Sequence, residues 1–384
     1  YKYYLDIVKR DSVNRSLIRA AREIAEFAKS SDDSVKSIQF AEERVYNVSR
    51  TNDTSSVKDI REGSGISAVL DKFEKLAKDK DAFKGIPTGF TRLDRLTNGL
   101  QKSDLIVIAA RPGMGKTSIA MNIIENAALG NDAVCVVFSL EMPEVQIIQR
   151  LLCSAANVSM SAALSGKLTP NDWKKIVRAS DKLKQSRINI DDSSRVTPAE
   201  ILSKCRRIKS KNNGKLDLVM IDYIQLMSSE KKSGGEQNRT QEVAAITREL
   251  KIMAKELNVP VIALSQLRRI QSGEPQLSDL RESGAIEQDA DIVMFINRPD
   301  VTATEEEIEK KKIVKGMADL IVAKHRNGGL DRIKLRFKGE LTKFVNPEPD
   351  EEMVPPPEEQ RMPVPDDAPP VEEDYSPSDE EMPF

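Results

Sequence analysis

The chain is poor in the residues that build metal and disulfide sites. Its 384 residues include three cysteines and one histidine. Cys135, Cys153 and Cys205 are scattered, and no two stand at the C-x-x-C spacing of a metal knuckle. His325 stands alone. A zinc site and a disulfide scaffold are excluded, and unpaired thiols suit a reducing, cytoplasmic compartment. Long apolar runs are missing too: no stretch of about eighteen apolar residues exists to span a bilayer, which leaves no membrane partner. The opening segment, YKYYLDIVKR, is charged and helix-like rather than a signal peptide. Without an initiator methionine it reads as a fragment or a processed form.

What is present is charge, unevenly placed. Charged residues make up 31% of the chain and hydrophobic ones 39%, for a net charge of −2. Residues 347–384 hold 14 acidic residues against Arg361 alone, a balance of −13, which leaves +11 on residues 1–346. The same segment holds 11 of the 19 prolines. It cannot bury enough apolar surface to order itself and reads as a disordered acidic tail. A basic body suits a polyanionic partner.

Periodicity divides the remainder. Over residues 1–50, Leu17, Ala20, Ala21, Ile24 and Phe27, then Val35, Ile38, Ala41, Val45 and Val48, recur at helical spacing, predicting a helical hairpin. Residues 51–84 read as a linker carrying one amphipathic helix at 66–78. From residue 85 to 346 short apolar runs alternate with helical ones. The runs are LIVIAA (105–110), AVCVVFS (133–139), LDLVMID (216–222), VPVIALS (259–265), ADIVMFI (290–296) and ADLIVAK (318–324). Continuous apolar runs predict strands covered on both faces, hence an α/β domain with a doubly wound, mostly parallel sheet. The alternating DRIKLRF and LTKFV predict an edge hairpin. The clearest helix between strands places Val243, Ile246, Leu250, Met253 and Leu257 on one face.

The chemistry starts where LIVIAA runs into ARPGMGKT (110–117) and then a helical pattern. A small residue, four positions, then Gly-Lys-Thr is a phosphate-binding loop; chance would produce it about 0.03 times in a chain of this length. Arg111, Pro112, Gly113, Met114, Gly115, Lys116, Thr117 and Ser118 are the candidate nucleotide-binding residues. Gly113 and Gly115 let backbone N–H groups curl around an anion, and the helix adds its positive end. Lys116 is placed to reach the β- and γ-phosphates, and Thr117 to ligate Mg²⁺. Asp222 ends its strand, where a carboxylate holds the same Mg²⁺ through water. Glu141 follows its strand in SLEM and can orient and deprotonate a water. Gln266 ends VPVIALSQ, where a neutral amide can sense the γ-phosphate. ATP and Mg²⁺ are the implied cofactors.

The order of GIPTGFTRLDRLTNGL, ARPGMGKT, SLEM, LVMIDYIQLM, PVIALSQLRR, DLRESGAIEQDADIV and AKHRNG resembles the motor domain of DnaB-type replicative DNA helicases. The resemblance covers residues 66–345, and weakly 1–50. It implies a RecA-like fold, a homo-hexameric ring, ATP at subunit interfaces, and 5′-to-3′ translocation on single-stranded DNA with unwinding of forked DNA. It makes Arg326 an arginine finger for a neighbour's γ-phosphate and Lys324 its basic companion. It makes Arg281, Glu282 and Gly284 a loop that holds the DNA backbone. His325 reads as structural. SEKKSGGEQNR (229–239) is either a second pore loop or a plain connection. The helix at 66–78 resembles one that docks on the next subunit.

The resemblance has departures. Residues 1–50 match only the end of the family's N-terminal domain, which puts the primase and loader partners in doubt. Gly113 stands where serine is expected, and KHRNGGL lacks a proline after its first glycine. The acidic tail lies outside the family pattern; it either solubilises, competes with DNA, or recruits a basic partner. Two other readings share the phosphate loop: a RecA-like recombinase filament and an ATP-gated loader or scaffold. A small-molecule kinase would need an acceptor pocket that the sequence does not reveal.

Overall fold

The computed structural model describes residues 2–31, single positions within 33–48, and then 65–78, 84–227, 236–267, 273–302 and 313–348. By contacts the chain divides into two units, Tyr1–Asn346 and Pro347–Phe384. The expected linker at 51–64 and nearly all of the acidic tail lie outside the described residues.

Helix α1 (Lys2–Ser30) is longer than its apolar period required. Its packed stripe is narrower than expected: Ala20 is buried and Ile24 and Phe27 are half-buried, but Leu17 and Ala21 face outward. Two later residues lie against this helix: Phe27 stacks on Phe40 with ring centroids 4.3 Å apart, and Arg44 pairs with Glu23 at 3.3 Å. Helix α2 (Gly65–Lys78) leaves Ile66, Val69, Leu70 and Phe73 exposed.

The body is one nine-stranded sheet in the order β3-β2-β4-β5-β1-β6-β7-β8-β9. Its strands are β1 (Leu105–Ala110), β2 (Cys135–Ser139), β3 (Ile188–Asp191), β4 (Leu218–Asp222), β5 (Val261–Gln266), β6 (Ile292–Asn297), β7 (Met317–His325), β8 (Asp331–Lys338) and β9 (Lys343–Val345). The strands β3 through β6 in that order pair in parallel. Their connections include α3 (Thr91–Thr97, before β1), α4 (Lys116–Asn131), α5 (Glu144–Ala156), α6 (Pro170–Gln185), α7 (Pro198–Lys211), α8 (Glu236–Leu257) and α9 (Gly284–Asp289). Helices α6 and α7 each open with a threonine capping box and a proline in the first turn, which satisfies N–H groups that have no partner inside a helix.

The apolar runs are explained by two cores. Strand residues point alternately to opposite faces. Ile106, Ile108 and Ala110 enter one layer with α4 and α5, while Leu105, Val107 and Ala109 enter the other with α8. Every β1 residue is at most 1% exposed. The α8 face is as read, with Val243, Ile246, Leu250, Met253 and Leu257 all buried.

Two strands depart from expectation. The run ADLIVAK predicts a further parallel strand, but β7 is antiparallel to β6 and its burial alternates. Its apolar letters include residues such as Ile321 and Ala323 that are only partly covered, so a near-continuous run here marks an unequally packed antiparallel strand. β3 carries the sequence INID, four half-buried residues at the sheet edge, too short and too polar to register as a run. The edge hairpin is present as β8 and β9.

Candidate functional site

Five residues, 111–115, turn the chain from β1 into α4 at the carboxyl edge of the parallel strands, where such sheets bind ligands. Gly113 and Gly115 both adopt left-handed backbone, with φ of +80° and +95°. Their surroundings differ. A Cβ on Gly115 would sit 2.9 Å from the Phe344 ring, whereas one on Gly113 would meet nothing within 4 Å. Serine at position 113 would therefore carry backbone strain but no crowding. Phe344 belongs to β9, and its N–H donates to Asn122 Oδ1 on α4 at 2.8 Å. The last strand of the sheet thus floors the loop. Met114 is buried in the core beneath it, Ser118 is buried at the start of α4, Pro112 is exposed, and Arg111 donates to the Gly273 carbonyl at 2.7 Å.

Lys116 opens α4 and lies over the Tyr223 ring, 3.9 Å from its centroid. Its ammonium is 3.3 Å from Asp222 Oδ1. Burial pushes the Lys116 pKa below the usual lysine value, with Asp222 and then Glu141 opposing that shift. Thr117 Oγ1 donates to Asp222 Oδ2 at 2.6 Å. Asp222 is 2% exposed, and the Lys116 ammonium is the partner of its Oδ1. A buried carboxylate beside a hydroxyl is an oxygen donor set that suits a hard divalent cation once the lysine turns to a phosphate.

The same edge gathers the other expected residues. Leu140 N–H donates to the Asp222 carbonyl at 2.8 Å, which brings the exposed Glu141 alongside. Gln266 closes β5; its N–H donates to Gln225 Oε1 at 3.3 Å, and Gln225 Nε2 donates to Ser265 Oγ at 2.9 Å. Sequence reasoning misses Tyr223 and Gln225. They directly follow Asp222 in DYIQ, at a strand's carboxyl end, and that position is the signal that could have found them.

Lys324 and Arg326 are not there. His325 pairs with Ile292, and Ile292 with Ile106, so Arg326 sits beside the amino end of β1. The length of β1 from Leu105 to Ala110 puts it about 17 Å from its own phosphate loop, beyond side-chain reach. Lys324 donates to the carbonyls of Glu287 and Gln288. Burial first, then Arg326, pulls its pKa down, against the acidic residues around it. Arg326 donates to the Gln288 carbonyl and stands 3.3 Å from Asp291 Oδ1. Asp291 gives no local signal in sequence. The His325 ring lies against Gly328, where a Cβ would approach it to 2.3 Å, in keeping with a structural role.

Arg281 and Glu282 lie on a 3₁₀ segment (Leu277–Ser283), and Gly284 opens α9. The side chains of 281–285 lie outside the described residues, as does the segment 228–235; residues 236–239 belong to α8. Among the described residues no helix is long and apolar enough to cross a membrane.

Comparison with known proteins shows the family. Residues 85–346 match the DnaB-like helicase C terminal domain. The Replicative DNA helicase DnaC of Bacillus subtilis is 42% identical over 362 residues, which cover 92% of this chain and 77% of the relative. The Replicative DNA helicase DnaB of Geobacillus stearothermophilus is 41% identical over the same extent. Among solved structures, a DnaB-like replicative helicase studied with primase superposes with a TM-score of 0.74 at 35% identity, covering 90% of this chain and 79% of that one. A separately solved ATPase domain gives 0.68 at 39% identity, covering 74% of this chain and 99% of that one. The chain therefore belongs to the DnaB-like replicative DNA helicases, nucleotide-binding enzymes built on a RecA-like α/β sheet.

Proposed function

We propose that this chain is the motor subunit of a homo-hexameric ring that uses ATP and Mg²⁺ to move 5′ to 3′ on single-stranded DNA and to unwind a replication fork. The observation that carries this reading is the division of the catalytic set between two edges of one sheet. Lys116, Thr117, Glu141, Asp222 and Gln266 share the carboxyl edge; Lys324 and Arg326 sit at the opposite edge of the same parallel strands. One subunit is incomplete alone, and a neighbour supplying its finger edge completes the site.

At that interface the loop 111–118 wraps the phosphates. Lys116 leaves Asp222 for the β- and γ-phosphates, which frees the carboxylate for the cation. Thr117 and Asp222 would hold Mg²⁺, which would supply positive charge to the phosphates of the bound nucleotide. Glu141 takes a proton from the attacking water as it adds to the γ-phosphorus and the bond to the β-phosphate oxygen breaks. Gln266 hydrogen-bonds the γ-phosphate and relays its presence through Gln225. The neighbour's Arg326 and Lys324 stabilise charge on the transferring oxygens, and such a finger contributes about 10³–10⁵ in rate.

Arg281, with Glu282 orienting it and the backbone at Gly284, grips the DNA backbone without reading sequence. The exposed apolar side of α2 supports docking on the next subunit. The chain is read as four regions: a helical hairpin (1–50), a linker (51–84), the motor (85–346) and the acidic tail (347–384). The compartment is cytoplasmic, at replication forks, and primase and a loader are the candidate protein partners.

Unwinding of a forked duplex with the 5′ and 3′ tails varied separately tests the reading. Strand separation should require the 5′ tail and vanish in Lys116→Ala. Unwinding at the normal rate by that variant would remove the site assignment.

A further inference from the structure

The finger edge holds a buried carboxylate that neither the phosphate loop nor the DNA segment uses. Asp291 is 5% exposed and stands between α9 and β6. Its Oδ2 accepts from the Leu105 N–H at 2.8 Å and from the Lys251 ammonium on α8. Its backbone N–H donates to the Leu105 carbonyl and its own carbonyl accepts from the Arg326 N–H, both at 2.9 Å. Only Oδ1 is left for a side chain, and it faces Arg326 Nη1 at 3.3 Å. A carboxylate tied to β1 and α8 has little freedom, so it presents that oxygen in a set direction.

The second half of the arrangement is backbone. The carbonyls of Glu287 and Gln288, near the carboxyl end of α9, accept from Lys324, and Gln288 also accepts from Arg326. These belong to the last carbonyls of a helix, which lack partners inside it and carry partial negative charge. Two cations therefore rest on one helix end and one fixed carboxylate. The other end of α9 is Gly284, and its amino-terminal neighbours are Arg281 and Glu282. From Gly284 to Gln288 the helix rises only about 6 Å. Ile286 within the helix and Ala290 just past its end are buried in the core, which anchors the helix.

We infer that Asp291 is the positioning residue for the Arg326 finger, and that α9, by seating Lys324 and Arg326 on its terminal carbonyls, links the DNA segment at 281–284 to the neighbouring subunit's ATP site. This rests on reading Arg326 as the trans finger and 281–284 as the DNA segment. DNA held at one end of α9 sets where its other end holds the cations. ATP turnover on a neighbour then answers to DNA on this subunit.

The test uses the assembled full-length protein, ATP, and an oligothymidylate as the single strand. Asp291→Asn keeps the shape of the side chain but removes its charge. Its kcat should fall between about 10- and 100-fold, as expected when a catalytic group is displaced by about an ångström, while KM for ATP stays unchanged. The ratio of DNA-stimulated to DNA-free turnover should fall toward one. The Asp291→Asn, Arg326→Ala double variant should be no slower than Arg326→Ala alone, because both act through one group. Losses that multiply in the double variant, or an unchanged kcat, would overturn the inference. Equal loss with and without DNA would overturn the link through α9.

If Asp291→Asn does not fold, Lys251→Gln carries the same test: it loosens the carboxylate but spares its contact with Arg326. A smaller kcat loss at constant KM supports the seat, and wild-type kcat overturns it. Full turnover in Arg326→Ala would remove the finger reading itself. An inactive Arg326→Ala beside a fully active Asp291→Asn would remove only this inference.

Discussion

Gly113→Ala and Gly115→Ala make the same chemical change two positions apart, yet the structure assigns them different costs. Both glycines have positive φ, and an alanine there carries about 1–2 kcal/mol of backbone strain. At Gly113 nothing stands within 4 Å of the new Cβ, so strain is the whole cost. At Gly115 the new Cβ would lie 2.9 Å from Phe344 Cε2 and 3.0 Å from Cζ. Phe344 cannot easily give way: it is 2% exposed, packs against Phe337 with centroids 4.7 Å apart, and is tied to Asn122. Overpacking a fixed ring adds about 1–3 kcal/mol.

Gly115→Ala should therefore unfold in urea at lower concentration than Gly113→Ala, by a free-energy difference of about 1–3 kcal/mol. It should also bind a fluorescent ATP analogue more weakly, since a loop pushed off Phe344 no longer fits the phosphates. Phe344→Leu removes ring atoms from the contact. Placed on Gly115→Ala it should cost less than it does on the wild type, giving a favourable coupling. Equal destabilisation by the two glycine variants, or strict additivity with Phe344→Leu, would refute the claim that β9 sets the floor of the loop.

Other outcomes follow from the two edges. Arg326→Ala subunits mixed into wild-type protein should depress ATPase more than in proportion, because each defective finger disables a neighbour's site; a linear decline would argue against an interfacial finger. Arg281→Ala should weaken single-strand binding and lower its salt slope by about one contact per subunit, with DNA-free ATPase retained; parallel loss of both would make Arg281 structural. Asp104 is pushed from 3.8 up to about 6 by burial and by Asp291, against Lys251 and Arg326. Between 3.8 and about 6 the native state keeps a proton there that the unfolded chain has released, so the favourable contribution present below that window is lost as pH rises through about 6. Asp104→Asn should be more stable than wild type at pH 7.5, by about 1–2 kcal/mol after allowing for partial exposure, and the gain should vanish near pH 4. A pH-independent difference in urea unfolding would show that Asp104 is not the titrating group.

Much of the nucleotide edge is readable in the sequence, because its signals are local. The loop 110–117 joins a strand to a helix within eight residues, and Asp222, Glu141 and Gln266 each mark the end of an apolar run. In a parallel sheet those ends share one edge whatever the strand order. The α8 stripe is equally legible, since helical period and burial coincide. The family pattern adds Lys324 and Arg326, whose neighbours in sequence do not announce a catalytic role.

What sequence alone determined was the α/β class, the phosphate loop and the list of candidate side chains, all carried by spacing over a few residues. Tertiary structure decided their relations. It set β7 antiparallel, added the short edge strand β3, placed Phe344 under Gly115, and seated Arg326 on Asp291, which lies 35 residues away. Above all it put Arg326 and the phosphate loop on opposite edges of the same sheet. Strand order and direction are settled by packing between distant segments, and no short spacing encodes them.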